Sequence, residues 1–134
     1  MKKFWFSISF FIVLTIGAYV LHSCSAINKT KPIQGNWQCV SWTAMGQNAG
    51  YDIEHTSFHF MENERYEAVI TGQPEKGTYY IEDGKLYTTA EGSAKIMTVI
   101  EKLEGDSLII SMNRGGIMEE MLLLRTGTDA AGAI

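Results

Sequence analysis

Few residues in this chain have the type and spacing to do chemistry. His55 and His59 stand four apart in HTSFH, and the chain has two cysteines, Cys24 and Cys39. On a helix two histidines at that spacing share a metal ion. On a strand they share a face but lie about 13 Å apart, too far for one ion. Serine and aspartate near His55 come without the spacing of a nucleophile elbow or a triad. Glu62, Glu64 and Glu67 surround a turn, where solvation explains them. Arg114-Gly115-Gly116 lacks the following helix that a phosphate site needs. The residues therefore point to no catalytic group, no metal and no cofactor, and no enzyme is expected. Cys39, in an apolar run, reads as a small buried core residue.

The elements that position these side chains begin with an unusual N-terminus. Lys2 and Lys3 precede FWFSISFFIVLTIGAYVL, an uncharged apolar run ending at Leu21. A basic start followed by an apolar run and small residues reads as an export signal. Leu21-His22-Ser23-Cys24 resembles the lipobox of bacterial lipoproteins: Leu21 and Ser23 match, while His22 stands where a small residue is usual. The resemblance implies cleavage before Cys24 and a lipid on that cysteine. The other reading is an uncleaved anchor, since the run from Phe4 to Leu21 is just long enough to span a bilayer. Both readings put a domain outside the cytoplasm, on the periplasmic side, in the cell envelope. The expected organisation is a signal or anchor over 1–23, a polar tether over 24–32, a β-domain over 33–126 and a disordered tail over 127–134. Without Lys2 and Lys3, 9 basic residues face 15 acidic ones, which argues against nucleic acid and anionic lipid as partners.

From residue 33 onward, short runs alternate apolar and polar residues between turn signals, and no long window repeats at 3.6 residues. Strands are expected at 35–43, 56–61, 65–71, 77–82, 85–90, 94–103, 107–112 and 117–125. Asp83-Gly84 is a two-residue hairpin signal. Short connections make sequential strands neighbours, giving an eight-stranded antiparallel up-and-down meander. Closing it into a barrel removes both exposed edges. The start of the first strand then lies beside the end of the last. Trp37 sits at the first place and Arg125 at the second, so the guanidinium can lie across the indole and plug one end.

Gly35-Asn36-Trp37, Arg125 and the hairpin GTYYIEDGKLYTT over 77–89 together resemble the lipocalins, and in particular the small bacterial lipocalin-like lipoproteins. The resemblance implies an all-β barrel, with Gly35, Trp37 and Arg125 closing its base. The inward residues expected from alternation are Trp37, Cys39 and Ser41, then Phe58, Phe60, Tyr66, Ala68, Ile70, Tyr79, Ile81, Leu86, Thr88, Leu108, Ile110 and Met112. Strands 94–103 and 117–125 are apolar on both faces, so their inward sets stay open. The turns ENE, DG and EGD on the Trp37 side are tight, whereas MGQNAGYDIEH and GQPEKG on the other side read as long loops. An open mouth bordered by 44–55 and 72–77 follows. Phe58, Phe60, Tyr66, Ile70, Tyr79, Leu86, Leu108, Ile110 and Met112 are the candidate lining of a pocket for a small apolar or amphipathic ligand. They suit a packed core equally well. Two functions stay open: a tethered binding module, or a structural or protein-interaction lipoprotein with a filled barrel.

Overall fold

The computed structural model describes residues 31–127. The expected signal or anchor, the lipid site at Cys24, most of the tether and the tail over 128–134 lie outside the described residues. A short 3-10 turn, Lys31–Ile33, leads into β1 (Gly35–Ala44). A two-residue β2 (Gln47–Asn48) follows, then β3 (Ser57–Phe60), β4 (Arg65–Ile70), β5 (Gln73–Glu82) and β6 (Lys85–Ala90). The chain continues through β7 (Ile96–Glu104), β8 (Ser107–Arg114) and β9 (Ile117–Thr126). Each long strand pairs antiparallel with the next, and β9 pairs back onto β1, so eight strands close a barrel. The expected antiparallel meander barrel is borne out. Added to it is β2, which folds back on the end of β1 with Thr43 opposite Asn48.

Closure has a definite register. Trp37 lies opposite Arg125, Cys39 opposite Leu123 and Trp42 opposite Met121. The register slips between Cys39 and Ser41, a β-bulge that leaves Val40 outside at 41% exposure. Because side-chain direction has period two, one extra residue reverses every later position. Trp42, not Ser41, therefore points inward, and the expectation for Ser41 is corrected. A second bulge, between Ile100 and Lys102 on β7, puts Thr98, Ile100 and Leu103 on the inner face. On β9 the inner set is Glu119, Met121, Leu123 and Arg125. These assignments resolve the two strands that apolarity alone left open.

The stretch GQPEKG is not a loop, as expected, but the start of β5. Gln73 pairs with Ile70, Pro74 with Val69 and Lys76 with Glu67. The turn is only Thr71-Gly72, both at positive φ (50° and 83°), the geometry that matches strand twist in a two-residue hairpin. Pro74 is tolerated because β6 begins pairing at Gly77, so β5 has no second strand beside Pro74 and loses no ladder bond. The mouth thus has one long loop, residues 45–56, rather than two.

Gly77 marks the tightest contact between β5 and β6. A methyl group there would stand 1.9 Å from the carbonyl oxygen of Thr89. Backbone cannot yield as a side chain does, so Gly77→Ala should destabilise the barrel by about 3 kcal/mol. A shift of the urea midpoint well below wild type checks this.

Candidate functional site

The base of the barrel is built around one ring. Trp37 has no exposed surface, and its Nε1–H donates to the carbonyl of Ile33 at 2.7 Å. The Arg125 Cζ lies 4.3 Å from the indole ring. Its Nη1 and Nη2 donate to the carbonyls of Gln34 at 2.5 Å and Pro32 at 2.9 Å. Its Nε stands 3.4 Å from the Asp106 carboxylate. The guanidinium thus satisfies the carbonyls of the chain entering the barrel while covering the ring with positive charge. Ile33 and these carbonyls carry no sequence signal; only the strand register brings them together.

Above the base the lumen is filled. Phe60, Tyr66, Tyr79, Leu86, Leu108 and Ile110 of the candidate lining are all buried in the core, with Cys39, Ala68, Met121 and Leu123. Phe60 meets Tyr79 edge-on with centroids 4.9 Å apart, the preferred arrangement of such rings. Tyr79 donates its hydroxyl to the Met61 carbonyl at 2.9 Å. Tyr66 donates to Glu75 at 2.6 Å, and burial together with that carboxylate holds its phenol well above the usual range. Burial likewise raises the Cys39 thiol. Three of the nine candidates differ: Phe58, opposite Trp37, and Ile70 are only partly buried against the core, and Met112 is half-buried.

The mouth carries a polar and aromatic cluster. Glu119, on the inner face of β9, is only 5% exposed. Its carboxylate accepts from Trp42 Nε1 at 3.1 Å and from the Tyr51 hydroxyl at 3.4 Å. Arg114 Nη2 stands 3.6 Å away. The Tyr51 ring lies tilted on Trp42 with centroids 4.3 Å apart. Tyr51 belongs to the 45–56 loop, whose Ala49 and Ile53 also pack on the core. Behind Tyr51 the loop is pinned: Gln38 Nε2 donates to the carbonyls of Ile53 and Thr56, each at 3.0 Å, and buried Thr56 donates to Asp52 at 2.8 Å. The mouth is therefore covered by this loop rather than open, which corrects the expectation. Glu119 and Trp42 escaped sequence reasoning. Counting back in twos from Arg125 would have put Glu119 inward; nothing in the sequence announces the bulge that turns Trp42.

A hollow of about 710 Å³ runs over residues 36–38, 57–59, 67–69 and 74–76 and Thr126. It is bordered by the outward Asn36, Gln38, Glu67, Val69 and Lys76 and reaches the inward Trp37, Phe58 and Ala68, with no residue of β6, β7 or β8 in its lining. His59 borders it, whereas His55 is exposed and bonds Asp52 at 2.8 Å. Among the described residues no group of histidine, cysteine and carboxylate side chains could hold a metal ion.

A family model described as a lipocalin-like domain matches residues 33–110, more than half of the chain. The chain belongs to that family. No curated protein and no solved structure matches it. Family members are generally non-enzymatic binding proteins, and the fold is consistent with small hydrophobic ligands. The match stops before Arg125, so the base closure completes the family's architecture from outside the matched segment.

The fit of Gly35 to Arg125 yields a prediction. At Gly35 φ is +126°, and a methyl group would come 2.6 Å from Arg125 Nη1. Gly35→Ala should lower stability by about 2 kcal/mol through strain and displacement of the guanidinium. In an Arg125→Met background the same change should cost less, because the clash is gone. Chemical denaturation of the four proteins checks the non-additivity.

Proposed function

We propose that this protein is a membrane-tethered, extracytoplasmic lipocalin-like module that binds a small apolar or amphipathic ligand at the mouth of its barrel. Family membership supports ligand binding, and one observation directs it to the mouth. At the mouth the inward Ile70 and Met112 are only partly buried. A loop, not a strand, covers that end, so a short acyl or aromatic group gains access by displacing the loop tip rather than by unzipping the wall. The Leu21–Cys24 motif supports anchorage through a lipid on Cys24. In that arrangement the tether reaches the barrel at the Trp37 base, and the mouth faces away from the anchoring membrane.

Two measurements test this. Dodecanoate titrated into the full-length chain should quench tryptophan fluorescence saturably, with native mass spectrometry recording one bound molecule. No saturable binding of dodecanoate would contradict the reading. Metabolic labelling with a radioactive fatty acid should mark the wild type and not Cys24→Ala; equal labelling, or none in either, would contradict lipid anchorage.

A second reading, a scaffold that contacts envelope proteins, is favoured by the filled lumen. Its contact surface would include the outward Met118, 48% exposed, and its half-buried neighbour Leu122. In that case a defined partner co-purifies with wild type and is lost with Met118→Glu.

A further inference from the structure

The cluster at the mouth has the makings of a recognition site already filled by the protein's own side chain. Glu119 is a carboxylate on an inward position, 5% exposed, in an otherwise apolar row with Met121 and Leu123. Burying a carboxylate is costly unless donors surround it. Trp42 supplies a close one at 3.1 Å, to Oε2, and Arg114 stands 3.6 Å from the same oxygen. Among the described residues the other oxygen, Oε1, accepts from the Tyr51 hydroxyl, at a long 3.4 Å. Tyr51 itself is 38% exposed and comes from the loop, not the barrel wall. It follows Gly50, at a φ of +80°, and precedes the pinned segment 52–56, so its side chain can leave without disturbing the wall.

We propose that Trp42 and Glu119 form a binding site for an aromatic ring carrying a hydrogen-bond donor, such as a phenol, and that Tyr51 holds this site in the unliganded protein. The indole offers a face for the ring, and Glu119 Oε1 accepts from the donor. Tyr51 makes both contacts in tilted and lengthened form, so a free phenol can take a flatter stack and a shorter hydrogen bond. An aromatic carboxylate is disfavoured, because when ionised it offers no donor for Glu119 Oε1. This deepens the mouth-binding reading and rests on it.

The test uses 4-methylphenol on the full-length chain, followed by the Trp42 indole N–H resonance. Tyr51→Ala empties the site and should bind 4-methylphenol at least tenfold more tightly than wild type. Adding Glu119→Gln to Tyr51→Ala should weaken binding at least fivefold, and 4-methylbenzoate should bind Tyr51→Ala more weakly than 4-methylphenol does. Equal affinity of wild type and Tyr51→Ala, or indifference to Glu119→Gln, overturns the proposal. Should Tyr51→Ala lose its fold by circular dichroism, the wild type alone decides: the proposal requires 4-methylphenol to shift the Trp42 resonance saturably, and no shift overturns it. Dodecanoate is titrated in parallel. Binding of dodecanoate without 4-methylphenol removes this inference and leaves mouth binding standing; binding of neither removes both.

Discussion

Everything in this barrel depends on the seam where the first strand meets the last. A sheet of eight strands left open would present two unpaired edges, and only closure removes them. Here closure rests on Arg125 lying over Trp37 while bonding the carbonyls of Pro32 and Gln34. The arginine therefore does two things at once. It completes the hydrogen bonding of the segment that enters the barrel, and it covers a large buried ring. Burial of a ring of that size contributes about 3 kcal/mol, so the seam is anchored by packing as well as charge. Gly35 is required beside it because no side chain fits under the guanidinium.

The same constraint explains what the sequence made legible. Alternation and turn residues located the eight long strands to within a few positions, because hairpin-connected strands with one buried face must repeat at two. The Trp37–Arg125 pairing was legible because closure forces the two strand ends together. The interruptions of period two were not. The bulges near Val40 and Glu101 are single extra residues, and nothing in CVSW or VIEK marks them. GQPEKG was misread because glycine and proline signal turns, yet proline is harmless where a strand has a neighbour on one side only. Lys31–Ile33, whose carbonyls and apolar side chain finish the base, has no periodicity to read.

The interior divides along its length in a way that bears on function. The base half is a solid of aromatic and aliphatic side chains, and a ligand there would have to displace core. The mouth half is closed by a loop carrying one aromatic side chain, over a buried carboxylate and an indole.

Amide hydrogen exchange in Arg125→Met, compared residue by residue with wild type, tests the role of the seam most directly. The account predicts that protection falls selectively along the β1–β9 ladder, at Trp37, Cys39 and Leu123, while the β4–β5 ladder keeps nearly wild-type protection. Unchanged protection at β1–β9, or a uniform fall across all ladders, would contradict it.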